Sequence, residues 1–167
     1  MVRAQQRVGE EWPSCLWLAR GGMRWNQLST IIELQLRLSG KHPRALLIHL
    51  GSNDLGHLKS SELYLNIHAD LLRLRLLLPD TTLVWSSILP RKHWMGVDDF
   101  HAMEIARRKL TRRVANRIRE LGGVVVQYPN ITATAPDMHC WDGVHLSKKG
   151  LSHFVNCIYQ AIHPFTY

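Results

Sequence analysis

Short apolar runs alternate along this chain with longer stretches in which apolar residues recur every three or four positions. The runs are Cys15–Ala19, Ala45–Leu50, Thr82–Leu89 and Val124–Tyr128. The three later ones are rich in Val, Ile, Leu or aromatics, as strands covered on both faces are. Between them, Gln27–Leu38 puts Leu28, Ile31, Ile32 and Leu36 on one side of a helix. Glu62–Leu78 lines up Leu63, Ile67, Leu71, Leu74 and Leu78 before Pro79 closes it. Ala106, Leu110, Val114, Ile118 and Leu121 thread an arginine-rich stretch, and Gly122-Gly123 follows as a C-terminal cap would. A final helix over Lys148–Ile162 carries Leu151, Phe154, Val155, Ile158 and Ile162.

The order is therefore strand, helix, strand, helix, strand, helix, strand, loop, helix. That alternation predicts a three-layer α/β/α domain around a parallel sheet. No repeat or linker interrupts it, and 167 residues with 46% hydrophobic content suit a single domain spanning 1–167. Ligands bind such sheets at the carboxyl ends of the strands. Two polar turns are expected there: "GSND" (51–54), after the second run, and "WDGVHLS" (141–147), after the fourth.

Charge adds a possible partner. The formal net charge is +8, and much of it lies in "ARRKLTRRVANRIRE" (106–120). Arg107, Arg108, Arg112, Arg113 and Arg117 are candidates for docking on RNA or DNA phosphates, although they lie on more than one face and match no groove-reading motif. A solvated helix face is the plainer reading. Cys15, Cys140 and Cys157 are too few and too widely spaced for a disulfide framework, which favours a reducing compartment. The polar start "MVRAQQRVGEEWP" lacks the centre of a signal peptide, and "LLRLRLLL" (71–78) is too short for a membrane span. The expectation is a cytoplasmic domain without a membrane segment.

Asp142 and His145, three residues apart, can face each other across a turn. The carboxylate would hold one ring nitrogen and leave the other as a proton acceptor. The Asn53 amide can donate into the crevice, as an oxyanion-hole amide does. Gly21 and Gly22, in "RGGMRW", allow a sharp turn that points an N–H at a bound oxyanion. The alternatives are ordinary ones: a helix-capping Asp142 and a turn-stabilising Asn53. A metal site from His139, Cys140 and His145 with Asp137 or Asp142 matches no standard zinc spacing.

A glycine turn, then G-x-N-D after a strand, then D-x-x-H before a last helix resembles the SGNH (GDSL-type) hydrolase family. "LGSNDL" and "WDGVHLSKKG" carry the resemblance, which covers almost the whole chain. The pattern is particularly similar to SGNH-like domains of vertebrate, notably fish, retroelements. The resemblance implies a flavodoxin-like sheet, a small carboxylic ester as substrate and no cofactor or metal. It implies oxyanion roles for Gly22 and Asn53, an orienting role for Asp142 and a general-base role for His145.

In that family the nucleophilic serine follows a first, central strand. "VRAQQRVGEEW" resembles the helix after that serine, so the resemblance predicts that strand and serine upstream of Met1 and an impaired chain as it stands. Ser14, Ser52, Ser86, Ser87 and Cys140 are the candidates for a substitute nucleophile. The alternative to catalysis is a retroelement-derived basic module that binds nucleic acid or a protein partner.

Overall fold

The computed structural model describes residues 15–165. Among them, three parallel strands form one sheet in the order β1 (Ala45–Ile48), β2 (Thr82–Ser86), β3 (Val124–Val126). The register runs from Ala45 opposite Thr82 to Ile48 opposite Trp85, and from Val84 opposite Val124 to Ser86 opposite Val126. The helices are α1 (Leu28–Ser39), α2 (Ser60–Leu77), α3 (Phe100–Glu120) and α4 (Lys148–Ile162). A 3-10 turn, Trp25–Gln27, leads into α1.

Alternation along the strands sorts side chains into two cores. Leu46, Ile48, Leu83, Trp85 and Val125 face α1, α2 and α3, where Leu28, Ile32, Leu63, Ile67, Leu71, Leu110, Val114 and Ile118 meet them. Leu47, Val84, Val124 and Val126 face the other way, against Phe154, Cys157 and Ala161 of α4. The expected three layers follow: helices α1–α3, the sheet, and helix α4. Each strand connects to the next through a helix, as parallel pairing requires. Asp99 caps α3 by accepting from the Ala102 N–H (2.8 Å), and Ser147 caps α4 through the Gly150 N–H (3.1 Å).

One expected element does not form. Cys15–Ala19 has no regular secondary structure, and Leu16, Trp17 and Leu18 remain 53%, 42% and 38% exposed. An apolar run becomes a strand only when a neighbour takes up its backbone N–H and C=O groups. Among the described residues β1 has a strand neighbour on one side alone, and the run forms no ladder with its open side. The other three strands are present but stop two residues or more before their apolar runs do, where the chain peels away toward the polar loops. No helix among the described residues is long and apolar enough to cross a membrane.

Candidate active site

Loops leaving β1, β2 and β3 necessarily share one end of the sheet, because the strands are parallel. The loop after β3 carries the Asp142–His145 turn. Asp142 Oδ1 accepts from the backbone N–H of Val144 (2.9 Å) and of His145 (3.0 Å), and Oδ2 accepts from His145 Nδ1 (2.6 Å). The bond from the His145 ring, then the two N–H groups, hold the Asp142 carboxyl down at about 2. With Nδ1 donating to Asp142, Nε2 is left as the proton acceptor. The imidazole is 79% exposed, so Nε2 is open to a reactant.

This turn is held from several directions. Cys140 N–H donates to the His145 carbonyl (2.8 Å), and the Gly143 carbonyl accepts from both Lys92 (2.7 Å) and His93 (3.2 Å). Lys92 and His93 belong to the loop after β2, so the second and third loops are stitched together by backbone. His139 Nε2 donates to the Pro90 carbonyl (2.9 Å) on the same seam.

The loop after β1 is tied to the glycine turn. Asn53 Nδ2 donates to the Met23 carbonyl (3.1 Å), and the buried Asp54 carboxylate accepts from the Trp25 N–H (3.0 and 3.2 Å). Burial pushes Asp54 upward, opposed by that N–H and by the nearby charges of Arg24 and His57. Gly22, one residue before Met23, has φ +69, and the Met23 N–H closes its turn on the Arg20 carbonyl (3.2 Å). A left-handed residue at a surface turn is what the paired glycines anticipate. So the structure ties Asn53 to Met23, the neighbour of Gly22, and it brings Asp142 and His145 together.

Arg91 joins the two halves, and the sequence reading passed over it. Its Nη2 donates to Ser52 Oγ (2.9 Å) and Asn53 Oδ1 (3.2 Å), and its guanidinium lies 5.0 Å from the centre of the Trp94 ring. Burial lowers its pKa, and the negative charge of Asp142 raises it. The available signal was positional: "LPRK" follows a buried strand at the end where ligands bind.

Among the described residues, no substitute nucleophile is hydrogen-bonded to the His145 ring. Ser14 lies outside the described residues. Ser52 Oγ is engaged by Arg91. Ser86 is wholly buried beneath α4, bonded to His49 Nδ1 (2.7 Å) and to the Tyr128 hydroxyl (2.5 Å), with Phe154 stacked on Tyr128. Ser87 Oγ is buried without a hydrogen-bond partner. The Cys140 thiol points at the Leu146 carbonyl (3.3 Å). The metal alternative is not assembled either: no group of three or more His, Cys, Asp or Glu among the described residues is arranged to hold an ion.

The arginines of α3 are largely engaged within the chain. Arg107 pairs with Glu104 (2.8 Å), Arg117 pairs with Glu120 (2.8 Å), Arg108 bonds the Glu104 carbonyl (3.3 Å), and Arg113 lies 3.6 Å from the centre of the Tyr64 ring. Arg112 is exposed, beside Lys109.

No family model matches the chain, and no curated protein is significantly similar to it in sequence. Solved structures do share its fold. A GDSL-like lipase from Bacteroides thetaiotaomicron is 21% identical with a TM-score of 0.69, over 86% of this chain and 72% of that one. A psychrotrophic esterase from Pseudoalteromonas sp. is 15% identical with a TM-score of 0.60, over 86% and 73%. A carbohydrate esterase of family 3 from Talaromyces cellulolyticus is 15% identical with a TM-score of 0.61, over 86% and 68%. The chain has the α/β fold of the SGNH, or GDSL-like, hydrolase structures.

Proposed function

We propose that this domain provides the acid–base and oxyanion parts of an SGNH-type esterase site, acting on carboxylic esters through an acyl-serine. The observation that carries the reading is the Asp142–His145 pair. Its 2.6 Å bond leaves Nε2 exposed at the end of the sheet where Asn53 is held. In this reading His145 Nε2 takes the serine proton as the hydroxyl attacks the ester carbonyl, and Asp142 stabilises the imidazolium that forms. The second N–H of Asn53 Nδ2 and the Gly22 N–H then donate to the tetrahedral oxyanion. His145 afterwards protonates the leaving alcohol, and water attacks the acyl-enzyme with the same histidine as base.

The reading assigns the nucleophile to a serine outside these 167 residues. Support comes from the candidate serines: Ser52 Oγ is engaged by Arg91, Ser86 Oγ by His49 and Tyr128, and Ser87 Oγ is buried. The test is hydrolysis of short-chain nitrophenyl esters by this chain and by the same chain extended with its own upstream coding sequence. Hydrolysis is expected in the extended chain only, abolished by His145→Ala and lowered about 10²–10³-fold by Asn53→Ala, as loss of one oxyanion donor does. An inactive extended chain, or activity in the shorter one that survives His145→Ala, would overturn the proposal.

A further inference from the structure

We infer that Arg91 is the positioning residue of this site: it locks the Asn53 side-chain amide in one of its two flip states and clamps that loop to the Asp142 turn. The inference rests on the reading above only for the purpose the amide serves; the locking itself is a separate claim.

An asparagine amide can rotate half a turn and exchange its oxygen for its nitrogen with almost no change of shape. What selects one state is the polarity of its neighbours. Here each end of the amide meets a group of one polarity only. Arg91 Nη2, which can only donate, faces Oδ1 at 3.2 Å. The Met23 carbonyl, which can only accept, faces Nδ2 at 3.1 Å. Rotation would press N–H against the guanidinium and oxygen against oxygen, so both contacts vote the same way. Nδ2 keeps one hydrogen on Met23 and has its second available to a ligand.

Arg91 is itself held. The same Nη2 donates to Ser52 Oγ (2.9 Å), and Cζ lies over the Trp94 ring, 5.0 Å from its centre. The next residue, Lys92, donates its backbone N–H to Gly143 (2.7 Å), adjacent to Asp142. A planar, charged donor so placed transmits the position of the Asp142 turn to the Asn53 loop. Lysine, a single point charge on a flexible stem, lacks the planar guanidinium that fixes the direction of the two Nη2 hydrogens serving Ser52 and Asn53.

The test uses the 167-residue chain with acetate as the oxyanion-type probe. Nitrogen-15 relaxation of the Asn53 side-chain NH2 reads the locking, and chemical-shift titration reads acetate affinity. Both are measured for the unaltered chain, Arg91→Ala, Arg91→Lys, Asn53→Ala and the Arg91→Ala/Asn53→Ala pair, with circular dichroism confirming the fold. Arg91→Ala is expected to loosen the amide and to weaken acetate about five- to tenfold, the worth of roughly one hydrogen bond. Arg91→Lys should fall between, and it carries the test if the alanine variant does not fold. In the Asn53→Ala background the Arg91→Ala change should have no further effect on acetate.

An amide whose order is the same with and without Arg91 overturns the inference. So does an equal loss of acetate in both backgrounds, since Arg91 would then bind the anion directly. A loosened amide with acetate indifferent to Asn53→Ala upholds the locking and instead removes Asn53 from the oxyanion role.

Discussion

Gly143 lies between Asp142 and His145, and replacing it with alanine tests how the turn is built. Two costs can be separated. The first is backbone: φ at Gly143 is +67, and an L-residue there pays about 1–2 kcal/mol. The second is contact: an added Cβ would stand 2.8 Å from Lys92 Cβ and 3.3 Å from both Cβ and N of His93. Lys92 and His93 are also the residues whose N–H groups bond the Gly143 carbonyl at 2.7 and 3.2 Å. Relief of the clash therefore pulls on two backbone hydrogen bonds, each worth about 0.5–1.5 kcal/mol. The sum is about 2–5 kcal/mol, against a total of about 5–15 kcal/mol for an ordinary domain.

Gly22→Ala is the internal control. Its φ is +69 but nothing lies within 4 Å of the added Cβ, so it should show the backbone cost alone. Urea denaturation followed by tryptophan fluorescence measures both. Gly143→Ala is expected to lose at least about 1 kcal/mol more than Gly22→Ala, and at this chain length each kcal/mol lowers Tm by about 2–4 °C. The His145 ring resonances should shift in Gly143→Ala as the turn opens. Equal losses in the two variants would refute the claim that the loop after β2 buttresses this turn.

His49 offers a pH-dependent prediction. Although the residue as a whole is exposed, its ring packs edge-on against Phe154. Desolvation of that ring, and then the charge of Arg91, lower its pKa from 6.5 to about 4 against the opposing hydrogen bond to Ser86, so the unfolded chain takes up a proton that the folded one refuses. Stability from this group is complete above pH 6.5 and is lost as pH falls toward 4, with no further change below. His49→Gln should flatten that limb in urea midpoints measured across the window; an identical slope would contradict the assignment. Arg107→Ala leaves the Glu104 carboxylate, 12% exposed, without its partner and removes a bond to the Ile88 carbonyl (2.8 Å). A loss of about 2–4 kcal/mol is expected, somewhat below the cost of breaking a fully buried pair. Replacing Arg107 and Glu104 together with methionine should recover most of it, and failure to recover would point to the Ile88 contact instead.

Which parts of this molecule could be read in advance depended on the range of the forces involved. Lys148–Ile162 forms over the expected residues because helical bonding reaches only four residues and its apolar stripe repeats at that spacing. The Asp142–His145 contact was visible for the same reason: it spans three residues. The layers followed from the alternation of elements, and the loop ends followed from parallel strands. Composition and periodicity together determined an α/β domain with one polar edge.

Cys15–Ala19 shows the limit. Its residues favour a strand, but a strand exists only as half of a pair, and the partner is not encoded in the run. Arg91 shows the same limit at the site. Its partners Ser52 and Asn53 lie 39 and 38 residues away, so the string "LPRK" contains nothing to say which loop the guanidinium would grip. The His49–Ser86–Tyr128 row spans separations of 37 and 42 residues and was equally hidden. Local propensity, set by sterics and by bonds a few residues long, was legible in the amino-acid order. Pairing across the sheet and between loops was decided by tertiary packing, because a hydrogen bond depends on where two groups end up in space and not on how far apart they stand along the chain.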